Sequence, residues 1–315
     1  MLIFVMKKRL LTLSLCSILL ALVGCGGGSS NTTTASTTPQ FTQLVVFGDS
    51  LSDSGAYKVG TVDTLGGGRF TVNSPTSKVW VENVAISLGF ANACTAQMGL
   101  PNVLQAVQDQ GFHGAPIAEF TACTNYAQGG ARVSSEYGID SYAIQRVLTT
   151  LRQPDSYIQT VAPLGKMTNP VSTQMETHLS RNPNGYSGKE LVVVSIGAND
   201  LFMNITAIPL AKEGGQNAGF AALFAGWSET VQYEVSSNPI EQERIAAANT
   251  AGHEYMAAAA TRLLANVKSQ IVDKGAKNIV IMNLSDVGLT SVMMNDAKTS
   301  ALSKSLTNAF NDALA

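Results

Sequence analysis

The sequence predicts an α/β protein with a parallel sheet covered by helices on both faces. Three observations predict it. Four short apolar runs, at residues 44–47, 124–127, 191–196 and 279–284, have the character of buried strands, the second more weakly than the others. Helical patterns separate them near residues 79–88, 142–151 and 171–179, followed by a long alanine-rich stretch from about 240 to Lys274-Gly275. Strand and helix therefore alternate, as parallel sheets require, and 45% hydrophobic against 13% charged content in 315 residues gives one large domain a sizeable core.

The chain begins with a different composition. Lys7-Lys8-Arg9 precedes an apolar stretch from Leu10 to Val23 that is too short to span a bilayer, which is the pattern of a secretory signal, with Met6 as a second candidate start. Leu22-Val23-Gly24-Cys25 resembles the lipobox of bacterial lipoproteins, which makes Cys25 the lipid-bearing N-terminus and implies, with Gly26 after it, delivery to the outer membrane of a cell envelope; the alternative is an ordinary signal peptide that contains a cysteine. Residues 26–40 are Gly, Ser, Thr and Asn with almost nothing apolar, so they cannot offset their ordering entropy. Such a tether reaches roughly 20 Å. The expected organisation is a signal peptide at 1–24, a flexible tether at 25–42 and one globular domain at 43–315.

A formal charge of -2, with no Lys/Arg cluster after the first ten residues, excludes a nucleic-acid partner. Of four cysteines, Cys16 leaves with the signal and Cys25 is the lipid site, so Cys94 and Cys123 form an even pair in an oxidising compartment. They are read as a disulfide, or else as two separate buried thiols. No CxxC and no Cys/His spacing suits zinc, and no motif calls for a cofactor.

The stretch with chemical content is Val45-Val46-Phe47-Gly48-Asp49-Ser50-Leu51-Ser52-Asp53, a strand that stops at a glycine and turns with Ser50 at its tip. A serine at the carboxyl end of a parallel strand faces the crevice where such sheets bind ligands, and a helix starting after it would favour developing negative charge. Alternatively Asp49, Ser50 and Ser52 are turn and N-cap residues only.

Asn125-Tyr126-Ala127-Gln128-Gly129-Gly130-Ala131 and Ser195-Ile196-Gly197-Ala198-Asn199-Asp200 follow downstream. Together with the first stretch they resemble, in order and spacing, the GDSL or SGNH family of serine ester hydrolases. Gly66-Gly67-Gly68-Arg69-Phe70-Thr71-Val72-Asn73 and Val79-Trp80-Val81-Glu82-Asn83 are similar to its bacterial phospholipase, lecithinase and haemolysin-like branch. The resemblance implies a three-layer, flavodoxin-like sheet with Ser50, Gly130 and Asn199 at its carboxyl edge. It implies Ser50 as nucleophile, with the Ser50 and Gly130 N–H groups and the Asn199 amide around the tetrahedral oxygen. Glycine suits the second position because backbone can then approach substrate closely.

The sequence departs from that family in one respect. The family carries its aspartate and histidine in a late Asp-x-x-His block, and none occurs here; the histidines are His113, His178 and His253. With residues 279–284 as a fourth strand and Leu306-Thr307-Asn308-Ala309-Phe310-Asn311 in the helix after it, the chain is read as truncated, its last strand and helix missing. His253-Glu254 lacks the second histidine of a His-Glu-x-x-His site, since residue 257 is alanine. Surface or capping roles are expected for all three. A Gly-x-Ser-x-Gly elbow, a phosphate loop and a dinucleotide fingerprint are absent. Residues 207–231, rich in Gly, Ala and Phe with Trp227, fit either a helix packed in the core or one wall of an acyl-binding cleft.

The expectation is a lipid-anchored serine esterase or lipase acting on carboxylic esters, acyl lipids above all, and inactive in this form for want of a base. The alternatives are a non-catalytic envelope protein and a polysaccharide O-acetyl esterase.

Overall fold

The structure is a computed structural model that describes residues 41–69, 76–90, 93–101, 105–109, 111–138, 168–290 and 294–315. The helix expected at 142–151, the signal, Cys25 and residues 70–73 lie outside the described residues. The elements, in chain order, are β1 (Gln43–Gly48), α1 (Gly60–Thr64), α2 (Trp80–Ser87), β2 (Gln97–Met98), α3 (Gln105–Gln108), β3 (Ala118–Glu119), α4 (Val171–Arg181), β4 (Glu190–Ser195), α5 (Ala198–Leu210), α6 (Gly215–Ala225), α7 (Glu229–Ser237), α8 (Glu241–Val267), β5 (Asn278–Ile281) and α9 (Ala297–Leu314).

β1, β4 and β5 form a parallel sheet in that order, with Gln43 opposite Glu190, Gly48 opposite Ser195, and Leu191 opposite Asn278. Alternate side chains enter two separate cores. Val45, Phe47, Val192, Val194 and Ile196 pack with α4 to α9, while Leu44, Val46 and Val193 pack against Val79, Val81 and Ala85 at α2. Near-continuous apolar runs in β1 and β4 follow from this burial on both faces.

The expected strand at 124–127 is reduced to a bridge. Val46 N–H donates to the Thr124 carbonyl at 2.9 Å and Tyr126 N–H to the Val46 carbonyl at 2.8 Å, a parallel pairing one residue deep. On its other side Ala96 N–H donates to the Asn125 carbonyl at 2.7 Å. This segment therefore has sheet partners on both flanks but is too short for a regular strand, because the Asn125 side chain caps its own chain at Ala127 N–H (3.0 Å) and turns it toward Gly129-Gly130. Cys94 and Cys123 are joined by a disulfide beside it.

Residues 207–231 belong to the core. Ala218, Ala221, Ala222, Phe224, Ala225 and Trp227 are all buried, and the Trp227 indole N–H donates to Asn204 Oδ1 at 2.7 Å. The wall of an acyl cleft is thus the reading the packing does not favour. α8, about 40 Å long at 1.5 Å per residue, buries Ala248, Ala251, Ala259 and Ala260, small side chains that let α9 lie close with Leu306 and Phe310. β5 is the last strand on its side among the described residues. Val280, opposite Val193, is 46% exposed because α2 covers only β1 and β4 on that face.

Candidate active site

The last residue of β1 is a glycine for a steric reason: a Cβ on Gly48 would stand 2.5 Å from the Ser195 carbonyl oxygen of the neighbouring strand. The Gln174 side-chain amide completes the strand end, its Oε1 accepting Gly48 N–H and its Nε2 donating to the Gly48 carbonyl, both at 2.9 Å. The chain then turns. Ser52 N–H donates to the Asp49 carbonyl at 3.0 Å and Leu51 N–H to Asp49 Oδ1 at 3.1 Å, which places Ser50 second in a tight turn with Asp49 and Ser52 buried on either side. Leu51 is 50% exposed.

Three side chains lock this turn to the segment carrying Gly130. Asn125 Nδ2 donates to the Ser52 carbonyl at 2.8 Å and to Ser54 Oγ at 2.9 Å. Asp53 accepts Gly55 N–H, Ala56 N–H and, across the chain, Gly129 N–H at 2.8 Å, while Tyr57 OH donates to the Gly129 carbonyl at 2.9 Å. Gly130 itself adopts φ 83°, in the left-handed region that side chains disfavour.

The third segment joins the chain just after Gly130. Gly197, at φ 116°, is the N-cap of α5, and a Cβ on it would meet Phe310 at 2.9 Å and Leu284 at 3.2 Å. Asn199 and Asp200 follow in the first turn, where helix N–H groups favour negative charge. Asn199 Nδ2 donates to the Ala131 carbonyl at 2.8 Å. Asp200 accepts Arg132 Nε on Oδ1 and Val133 N–H on Oδ2, each at 2.9 Å. Ser50, Gly130 and Asn199 thus stand on three chain segments, at the carboxyl ends of β1, the 124–126 bridge and β4, that are hydrogen-bonded to one another.

Burial sets the electrostatics. It pushes the Asp49 carboxyl up to about 7, with the Leu51 N–H opposing and the Asp200 charge adding, and pushes Asp53 up to about 6 against the N–H groups of Ala56, Gly55 and Gly129. His178 is driven the other way, down to about 4, chiefly by burial. Among the described residues no group of three or more His, Cys, Asp or Glu side chains is placed to hold a metal ion.

The histidines are engaged elsewhere. His178 Nδ1 is 3.2 Å from Tyr126 OH, and the ring stacks on Tyr186 with centroids 4.7 Å apart, inside the core beneath β1. His253 joins α8 to α9, with Nδ1 2.7 Å from the Asn249 carbonyl and Nε2 2.7 Å from Ser305 Oγ. His113 exchanges hydrogen bonds with Thr61 through its backbone, in a loop beside α1.

Sequence reasoning missed Gln174, Arg132 and Tyr255. Arg132 offered one cue, a lone cation directly after Gly-Gly-Ala, but a charge in a loop ordinarily signals solvent and this one is 0% exposed.

The fold and the three converging segments define a hydrolase-like α/β protein. The chain matches the GDSL-like Lipase/Acylhydrolase family from residue 44 to residue 315 and belongs to it. No curated protein matches the chain in sequence. Family membership makes acyl ester hydrolysis its class of chemistry.

Proposed function

We propose that Ser50 is the nucleophile of an esterase for carboxylic esters, acyl lipids above all, and that the Ser50 and Gly130 N–H groups and the Asn199 amide hold the tetrahedral oxygen. Ser50 Oγ would add to the ester carbonyl, the alcohol would leave with a proton, and water would then release the acid from the acyl-serine. The observation that carries this reading is the bond from Asn199 Nδ2 to the Ala131 carbonyl. An amide nitrogen has two N–H groups. One fixes the amide plane on the residue after Gly130, and the other is the oxyanion donor.

The proton of Ser50 needs an acceptor, while the His178 ring is engaged with Tyr126, the His253 ring with Asn249 and Ser305, and His113 stands in the loop beside α1. That favours a second reading, a protein that binds acyl esters at this site and turns them over barely. Both readings are tested with p-nitrophenyl butyrate and p-nitrophenyl acetate, with and without added imidazole as an external base. The expected result is a low rate that imidazole raises in the wild type and not in Ser50→Ala, after subtraction of the reaction in buffer. Equal imidazole rates in both proteins exclude Ser50 as nucleophile, and a preference confined to acetate points to deacetylation instead of lipid hydrolysis.

The location belongs to the same proposal: Cys25 carries lipid that holds the domain at a bacterial outer membrane. Among the described residues no helix is long and apolar enough to cross a membrane. Cys25→Ala should move the protein from the membrane fraction to the soluble one; unchanged partition rejects the anchor.

A further inference from the structure

We propose that Tyr255 is a positioning residue for the oxyanion donors, acting through the buried Arg132–Asp200 pair; the inference rests on the assignment of Gly130 and Asn199 above. Arg132 lies two residues after Gly130 and Asp200 one residue after Asn199, so each donor segment carries one member of the ion pair. Both side chains are 0% exposed. Arg132 donates Nε to Asp200 Oδ1 at 2.9 Å, and its Nη atoms to the carbonyls of Phe224 and Ala225, the negative end of α6. Tyr255, on α8, closes the network. Its hydroxyl accepts Arg132 Nη2 at 2.7 Å and donates to Asp200 Oδ1 at 2.9 Å, and burial together with the neighbouring Asp200 charge keeps it protonated.

Stability alone does not account for this arrangement, because apolar side chains of similar volume commonly replace a buried ion pair without loss. What the planar guanidinium supplies is fixed geometry. Through Nε to Asp200 Oδ1 it ties residue 132 to the first turn of α5, beside the Val133 N–H, which donates to Asp200 Oδ2 at 2.9 Å. The Tyr255 hydroxyl bonds both members of the pair, so it sets their relative angle and with it the distance between the Gly130 N–H and the Asn199 amide. The effect reaches substrate only through those two donors. It belongs to the charged tetrahedral state and not to ground-state binding.

Removing either charge would leave the other buried and alone, whereas Tyr255→Phe deletes a single hydroxyl. The probe is hexylboronic acid. Its boron adds the Ser50 oxygen to give a tetrahedral boronate anion, Ser50–O–B(OH)2–hexyl, with the hydroxyl proton released to solvent. Boron-11 NMR reads that adduct directly, and 1-hexanol binding serves as the neutral ground-state control. We expect Tyr255→Phe to weaken the boronate adduct about tenfold, within the range that misplaced groups cost, with 1-hexanol affinity unchanged and the thermal midpoint lowered only modestly, by the loss of the two hydrogen bonds of one buried hydroxyl. Wild-type affinity for boronate in Tyr255→Phe, with Ser50→Ala forming no adduct, overturns the role of Tyr255 and leaves the serine assignment standing. Parallel weakening of both ligands makes the role merely structural and also overturns it. A wild-type protein that forms no adduct, or a Ser50→Ala protein that forms the same one, rejects the serine assignment and this inference with it.

Discussion

The Asn199 side-chain amide lies 2.8 Å from the carbonyl oxygen of Ala131, 68 residues earlier in the chain. That bond joins the first turn of α5 to the loop holding Gly130, and it makes the position of one proposed donor depend on the backbone of the other. Replacing Asn199 by Ala removes a donor outright. Ester hydrolysis, measured with imidazole present, should fall by about 10² to 10³, the usual cost of one oxyanion donor, with KM nearly unchanged. An undiminished rate would remove Asn199 from the site.

Asp53 should matter for the fold of the serine turn more than for chemistry. It accepts three backbone N–H groups, of Gly55, Ala56 and Gly129. Asp53→Ala leaves these donors buried without their acceptor, at about 1–3 kcal/mol each. Urea unfolding should show a loss of at least about 3 kcal/mol, and a change under 1 kcal/mol, about one ordinary hydrogen bond, would contradict the interlock.

Buried His178 and Asp49 give opposite pH dependences. His178 falls from 6.5 to about 4 on folding, so between those values the unfolded chain takes up a proton and the folded one does not. Its contribution is present above pH 6.5 and is lost as pH falls through about 4. Asp49 rises from 3.8 to about 7, so its contribution is present at low pH and is lost as pH rises through about 7. Differences between variants separate them. The stability of wild type minus that of His178→Phe should shrink by about 2 to 3 kcal/mol from pH 7 to pH 4, and wild type minus Asp49→Asn should shrink as pH rises over the same interval. Flat differences from urea titrations would show both groups to be solvated.

Much of this was legible in the sequence, and the gaps have physical causes. β1, β4, β5, α2, α4 and α8 emerged within a few residues because each buries a local periodic pattern. The serine turn was legible because Gly48 ends an apolar run and Asp49 supplies the turn carbonyl and carboxylate. The 124–126 bridge was read as a strand because Thr124 and Tyr126 favour one; that it pairs for a single residue depends on Val46 and Ala96, which are distant in sequence. Arg132 left only the cue of a lone cation after Gly-Gly-Ala, and its burial was not legible. Its burial depends on Asp200, Tyr255 and two carbonyls of α6, none of which leaves a mark near residue 132.

The exposed face of β5 predicts a solubility effect. Val280 and Met282 are 46% and 39% exposed on and just after a strand whose residues, Asn278–Ile281, include no charge. Uncharged, exposed edge strands template pairing with other chains. Val280→Lys should raise the monomer fraction in size-exclusion chromatography without changing the unfolding midpoint; unaltered aggregation would place the sticky surface elsewhere.

A crystal structure of the hexylboronate complex tests most directly whether Ser50, Gly130 and Asn199 surround one reacting oxygen. Boron should be bonded to Ser50 Oγ, with one boronate oxygen within about 3.1 Å of both Gly130 N and Asn199 Nδ2. Boron bonded to another residue, or a boronate oxygen out of reach of Asn199, would contradict this arrangement.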